Sequence, residues 1–551
     1  MKKFIKATAA LLAVCSLAGA FAACGSSGGR AYTYDYTWSD EHITYTFYGS
    51  SNAFNKVEGD SVLAEIEKKF NVTINLNYSQ EWEDRITTMV NSNRNVPDVF
   101  FSIPDGLSYP LFVEKGYIVP FNGYLDKLEE EQKGSGEGGT SNLKALFETE
   151  YLSRADINGN YYFMPQMTGI SNHVLIVRKD WMKQWAQEKK GNADFVPTTI
   201  SDFTAMLTYF HTENLGNKSD GTYGLGLNEN FDFTEDFLSA FGISPSYTKK
   251  EDGSYVLSAM TEEYQDYIDW LYQGSQQGYI FPKFGGISES TTKDNFESEK
   301  IGAYITICNY TLTNEVRTMK YNLDTEEDIV DFIPFPSSDD GQHVGSPVGD
   351  QYYWGGYCIS VNAKEPYRLV AILDYLTGKE GQDLFTWGVK GTHYTEDENG
   401  IKTLTAENLA NRTANMFVTP DNYDKSNVYG EYILGTALSP LKYIIREGKI
   451  IYDTPYDLMY EGESYQKRYD EYVTGLEEAG NVNWRLPTFL IDDYDISRDS
   501  SSCLDYAQTY TIQAAAASTQ AEIDNLRAEM EKQCRARGID EVLAYLAEQD
   551  K

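Results

Sequence analysis

Two adjacent carboxylate pairs, Asp339-Asp340 and Asp492-Asp493, are the first groups in this sequence that could do chemistry. Glycoside hydrolysis needs two carboxylates flanking the scissile bond. In a chain with 83 acidic residues such pairs arise by chance and carry little weight. The five histidines, His42, His173, His211, His343 and His393, are far apart in sequence and show no metal-ligand spacing. There is no HExxH, no Walker lysine and no GxSxG elbow between a strand and a helix. Cys308, Cys358, Cys503 and Cys534 form no CxxC. A chain of this size relies on its core, so these four are read as buried free thiols, with one or two bridges left open. The sequence therefore leads us to expect no catalysis, no metal and no cofactor. It is rich instead in groups that bind: Tyr occurs 43 times, and aromatic faces suit the apolar side of a sugar ring, although most such rings serve the core.

Cys24 stands apart from the other thiols. A basic start, MKKFIK, is followed by an apolar run too short to span a bilayer, and then by FAACGSSGG. This pattern leads us to expect a secretory signal over residues 1–23, with Cys24 as the lipid-attachment residue and residues 24–40 as a flexible tether. Ala22-Ala23 ahead of the cysteine resembles a bacterial lipobox, with Phe21 in place of the usual Leu. Val14, branched and bulky, makes Cys15 a poorer site. No later segment is apolar enough to span, so membrane contact is expected through the lipid only, at the extracellular face of the cell membrane. The formal charge is −37, and loss of Lys2, Lys3 and Lys6 with the signal makes it three units more negative. That balance excludes nucleic acid as a partner and favours a neutral or cationic ligand.

The elements that must position any site follow from periodicity. HITYTFYGSS alternates as a strand, GDSVLAEIEKKF has helical spacing after a cap at Asp60 or Ser61, NVTINLNYS is a strand, EWEDRITTMVNSN a helix, and VPDVFFSIP a buried strand. This alternation predicts a mostly parallel α/β sheet. KGSGEGG, residues 133–139, satisfies GxGxxG but follows the charged LDKLEEEQ and not a strand, so it reads as a mobile loop. Asn158-Gly159, Asp220-Gly221, Asp252-Gly253 and Asn399-Gly400 read as hairpin turns, the first of them in preference to a calcium loop. A second α/β set begins at SNHVLIVRKDW and includes the TISDFTAMLTYF helix, the YGLGL strand, the long helix from Thr261 and the strand KIGAYITICNY. GGYCISVNAK opens a further strand before the helix EPYRLVAILDYLTGKEGQDLFTWG. From about residue 512 a charged, alanine-rich helical tail is expected to pack against a lobe.

DINGNYYFMPQ, VLIVRKDWMKQW, VPTTISDF, FESEKIGAY and GYCISVNAKEPYRLVAILDYLTGKEGQDLFTWGVKGTHY, in that order, resemble landmarks of the extracellular solute-binding proteins of ATP-driven sugar importers. The resemblance covers most of residues 40–400 and is nearest to the large lipoprotein members of Gram-positive bacteria. It implies a periplasmic-binding-protein-like α/β fold: two α/β lobes with a hinge and an interlobe ligand cleft. The implied division assigns 41–165 plus 355–400 to lobe 1 and 166–354 plus 401–551 to lobe 2. It also implies a monomer that captures a sugar or oligosaccharide and delivers it to the permease subunits of an ABC transporter. Oligopeptide capture is the second reading, and a surface glycoside hydrolase or an adhesin is less favoured.

In open α/β sheets ligands lie beyond the carboxyl ends of strands. Within the implied cleft, that rule selects Tyr48, Ser50, Ser51 and Asn52; Ser102, Asp105 and Gly106; Gln166 and Asn172; Asn228 and Glu229; Thr306, Asn309 and Tyr310; and Tyr353 and Trp354. Short polar side chains suit sugar hydroxyls, and rings suit pyranose faces. Trp354 is the first choice of stacking ring and Trp82 the second, with Trp387 also a candidate and Trp270 assigned to the core. His393 reads as a structural hydrogen-bonding group.

Overall fold

The computed structural model describes residues 32–549 apart from 50–60, 80, 103–107, 136–140, 149–155, 158, 168–172, 232–233, 283, 285, 308–320, 323–326, 350–352, 379, 382–383, 385–387, 399–401, 406–443, 447–448, 452–464, 485–490 and 492. Asp35–Lys551 form one compact unit, and of the preceding Met1–Tyr34 only residues 32–34 are described.

Two sheets organise the larger unit. Their strands are β1 (Ile43–Gly49), β2 (Val72–Tyr78), β3 (Val99–Ser102), β4 (Phe163–Met167), β5 (His173–Arg178), β6 (Tyr223–Leu225), β7 (Ile301–Ile307), β8 (Val330–Ile333) and β9 (Tyr353–Ile359). The first sheet has the order β2-β1-β3-β9-β4 and the second β8-β5-β7-β6. β1 runs parallel to β2 and β3, because the helices α1 (Ser61–Phe70) and α2 (Trp82–Ser92) carry the chain back between them. Each helix buries one stripe: Val62, Ile66 and Phe70 on α1, and Trp82, Ile86 and Val90 on α2. Val99, Phe100 and Phe101 are all inaccessible, as the apolar reading of β3 anticipates.

β9 enters from far down the chain and lies antiparallel between β3 and β4. A Cβ at Gly356 would fall 2.2 Å from the Phe163 ring and 2.6 Å from the Met164 carbonyl, so only glycine fits this close approach.

In the second sheet β5 is buried along its whole length and antiparallel to both β7 and β8, while β6 is parallel to β7. Helices α3 (Lys179–Lys190), α4 (Ile200–Thr212) and α5 (Glu262–Gln277) pack Trp185, Phe203, Phe210, Trp270 and Leu271 into a core under it. Thr199 and Thr261 cap α4 and α5, each hydroxyl accepting from a main-chain N–H three residues on. Trp270 is core as expected, its indole N–H donating to Thr204 at 2.9 Å.

Four local expectations change. The helix Asn122–Ser135 runs through Lys133, Gly134 and Ser135, so the loop reading fails there, and 136–140 lie outside the described residues. Asp220-Gly221 makes a turn, with the Gly221 N–H donating to Lys218, but it joins α4 to β6 and closes no hairpin. Asp252-Gly253 does close one, between Tyr247–Lys249 and Tyr255–Leu257, with Gly253 at φ +82. The helix α6 (Pro366–Thr377) ends at Gly378, short of the expected span.

Helix also begins before residue 512: α7 (Tyr494–Ala515), α8 (Gln520–Arg537) and α9 (Ile539–Gln549) follow one another. They are no appendage. Cys503, Tyr510, Ile523, Met530 and Val542 join the second core, and the α7 hydroxyls of Ser500 and Thr511 meet those of Tyr247 and Tyr264, each at 2.7 Å.

Arg368 of α6 ties the start of the compact unit to the first sheet. Its side chain is fully buried, pairs with Glu365 at 2.9 Å, and donates to the carbonyls of Glu41, at 3.0 Å, and Ser39. Glu365 in turn accepts from the Ser39 hydroxyl at 2.6 Å, and its backbone sits in the left-handed region at φ +45. That conformation costs on the order of 1 kcal/mol, which the ion pair offsets. Arg368→Met is therefore expected to lower stability by about 3–5 kcal/mol, because it strands a buried carboxylate. Urea denaturation checks this; a loss below about 1 kcal/mol contradicts it.

Candidate functional site

Strand register decides which predicted residues share a place. In the first sheet Gly356 faces Ser102, Gly355 faces Gln166, and Tyr353 faces Met167, while Tyr48 pairs with Phe100. The carboxyl ends of β1, β3 and β4 and the start of β9 thus form one edge. It carries Tyr48, Ser102, Gln166, Tyr353 and Trp354. In the second sheet Ile307 faces His173 and Thr306 faces Val174, while Leu225 runs beside Ala303. The carboxyl ends of β6 and β7 and the start of β5 therefore form a second edge, carrying Thr306 and leading to Asn228 and Glu229. Residues 168–172 join the two edges directly, and 350–352 lead back to β9.

Individual side chains divide sharply. The Tyr48 hydroxyl is buried and has no hydrogen-bond partner among the described residues. An unpaired buried hydroxyl costs on the order of 1–3 kcal/mol, so this atom is suited to a ligand group. Asn228 is buried and accepts from the Asn230 N–H at 3.2 Å, a local turn bond, whereas Glu229 is exposed. Thr306 is buried within β7. Trp82 departs from its expected role: it is 8% exposed, with its ring 5.3 Å from Phe101, so it packs in the core instead of overhanging an edge. The helical stripe it shares with Ile86 and Val90 explains this. Cys24, Ser50, Ser51, Asn52, Asp105, Gly106, Asn172, Asn309, Tyr310 and Trp387 lie outside the described residues.

The structure adds a group that spacing did not reveal. Asp236 is fully buried on the 3-10 helix Thr234–Phe241; its carboxylate meets His173 Nδ1 at 3.1 Å and accepts from the Val348 N–H at 2.5 Å. His173 follows the first link between the sheets and Val348 precedes the second. One carboxylate therefore holds both links on the side of the second sheet. No sequence signal connects positions so far apart.

Beside His173 is a cavity of about 380 Å³, lined in part by Phe231, Thr234, Tyr264, Tyr267 and Thr511. Burial holds the Tyr264 and Tyr267 hydroxyls above the ordinary phenol range, so they remain neutral. The α7 wall of this cavity also touches the helix Ser108–Glu114 beside the first sheet. A larger cavity of about 750 Å³ lies between α3, α4 and α5, away from both strand edges, and its rings Trp185 and Trp270 belong to the core. Among the described residues no three His, Cys, Asp or Glu side chains converge to hold a metal.

Comparison with known proteins places this geometry in context. The family model for bacterial extracellular solute-binding proteins matches residues 53–383. Lipoprotein LipO of Bacillus subtilis is 23% identical over 47% of this chain and 51% of its own length. The polygalacturonan/rhamnogalacturonan-binding protein YtcQ of the same organism is 24% identical over 45% of this chain and 48% of its own. The chain spans about half the length of the curated relatives it matches. Among solved structures, the alginate-binding protein AlgQ2, crystallised without calcium ion, superposes with a TM-score of 0.65 at 16% identity, covering 93% of this chain and 98% of that one. This likeness establishes the fold as that of the two-lobed binding proteins.

Two substitutions contrast the buried Asp236 carboxylate with the Tyr48 hydroxyl. Asp236→Ala removes a buried acceptor from Val348 and is expected to cost about 2 kcal/mol. Tyr48→Phe breaks no bond among the described residues and is expected to shift stability by less than about 0.5 kcal/mol. Parallel urea melts measure both, and a destabilised Tyr48→Phe would make that hydroxyl structural.

Proposed function

Because the chain belongs to the bacterial extracellular solute-binding protein family, matched over residues 53–383, we propose that it is a cell-surface receptor that captures a neutral oligosaccharide and passes it to an ATP-driven importer. Family and fold are those of binding proteins. The observation that carries the reading is the pairing of strand edges: the first sheet ends in polar and aromatic residues and the second in polar ones, at the side from which the linking segments depart. A ligand touching both edges makes its full set of contacts only when they approach, so it favours the closed arrangement by its differential affinity. The permease then reads the closed form, and no bond in the ligand changes.

The proposed division has lobe 1 as 41–165 plus 355–400 and lobe 2 as 166–354 plus 401–551, with crossings near Gln166, Gly355 and residue 400. The Tyr48 hydroxyl is proposed to meet a sugar hydroxyl, Trp354 to stack on a ring, and the short polar residues after β1, β3 and β7 to complete the contacts. Lipid on Cys24 would hold the receptor near its permease and raise the effective concentration there. YtcQ is named for binding polygalacturonan and rhamnogalacturonan and AlgQ2 for binding alginate, which supports a saccharide here. The excess of 83 acidic over 46 basic residues turns the choice towards neutral sugars, since a polyanion would meet repulsion.

Titration calorimetry with neutral oligosaccharides, oligogalacturonates and oligopeptides tests this. Heat with a neutral glycan alone is expected; preference for the uronates or the peptides would overturn the ligand assignment. With the glycan that binds, Trp354→Ala is expected to weaken affinity at least tenfold, about 1.4 kcal/mol, with the melting curve nearly unchanged. Unchanged affinity with a large loss of stability would place that ring in the core.

A further inference from the structure

Cys503 and Cys534 lie across from each other on the hairpin formed by α7 and α8. Cys503 Sγ is 3.8 Å from the Cys534 carbonyl oxygen, and Cys534 Sγ is 3.7 Å from the Cys503 carbonyl oxygen. Each sulfur therefore reaches past the other's side chain to its main chain, so both occupy the narrow space between two adjacent backbones. Both residues are completely buried, and the thiols are unbonded in this structure. The Met530 thioether, 3.9 Å from Cys534 Sγ, completes an apolar sulfur cluster. Cys358 is remote from it, buried in β9 of the other sheet.

We propose that Cys503 and Cys534 form a disulfide in the exported protein, stapling α7 to α8. A bridge needs the two side chains and their backbones close together; each sulfur touches the other's main chain, and the two thiols are within hydrogen-bond reach of each other. The chemical setting agrees, since the family is extracellular and disulfides persist outside the cytoplasm. The staple has a mechanical purpose too. α7 to α9 are the end of the chain and supply part of the second core, yet they follow strands laid down far earlier; closing residues 504–533 into a loop limits the unfolded states open to this terminal layer.

Forming the S–S bond removes one proton and one electron from each thiol. The acceptor named here is the disulfide of an extracytoplasmic thiol–disulfide oxidoreductase, whose S–S bond breaks as it takes up both electrons and both protons to become a dithiol. Attack requires contact with the oxidoreductase, and in the folded chain both thiols are completely buried. The exchange therefore belongs to folding, before the hairpin closes. Once buried, the bond is shielded from reductants by the same packing.

This inference depends on export and not on the identity of the ligand. The test uses the full chain, secreted by its own N-terminal segment and recovered from the surface fraction, so that export is established in the same preparation. Alkylation in denaturant without reductant, followed by digestion and mass spectrometry, is expected to yield one peptide pair joined through Cys503 and Cys534, two hydrogens lighter than the separate peptides, with Cys358 alkylated. Complete alkylation of both Cys503 and Cys534 would overturn the proposal. The staple should also show in stability. Wild type reduced in denaturant, refolded and kept reduced is expected to melt several degrees lower, and the Cys503→Ala/Cys534→Ala double variant should ignore the same treatment. A wild-type melting point untouched by reduction would overturn the stabilising role.

Discussion

β9 must slot between β3 and β4, two strands that precede it by about 250 and about 190 positions, and much of the molecule follows from that insertion. The first sheet is incomplete until the second has been traversed, so the two cannot be independent beads on a string. The chain crosses between them after β4, again before β9, and once more between α6 and α7. Several crossings restrict relative movement to a hinge, which a single linker would not. The tight fit at Gly356 shows how little slack the insertion has: one methyl group there meets a ring and a carbonyl. Such long-range pairing is slow to form.

Two buried charges sit where the chain changes sheet and where the compact unit begins. Asp236 serves the first two crossings through His173 and Val348, and Arg368 gathers Glu365 and the carbonyls of Ser39 and Glu41. In each case a polar group inside the protein meets segments distant in sequence, which fixes geometry that apolar packing alone leaves loose. The strand edges between the crossings are furnished differently. Tyr48 holds a buried hydroxyl with no hydrogen-bond partner among the described residues.

Much of this was legible in the sequence because local signals and final structure agree. The alternation of HITYTFYG and the stripe Val62, Ile66, Phe70 announce β1 and α1, and Thr199 marks the start of α4 as its hydroxyl later proves. What stayed hidden is non-local. Periodicity identifies β9 as a strand but not its place between β3 and β4; nothing in the spacing joins His173 to Asp236, or Cys503 to Cys534. Trp82 misled because its position after a strand suggested an edge, while the helical stripe it heads draws it inward. The site is legible to the same extent: the strand-end rule finds Tyr48, Ser102, Gln166 and Thr306 on paired edges, but not the α7 residues that wall the neighbouring cavity.

The central claim is that the two sheets move together over a ligand. Small-angle scattering of the full chain, first alone and then with a glycan at a concentration shown to saturate it, measures that movement directly. A smaller radius of gyration in the saturated sample is the predicted result. An identical scattering curve with the ligand bound would contradict closure and leave a rigid binding protein in its place.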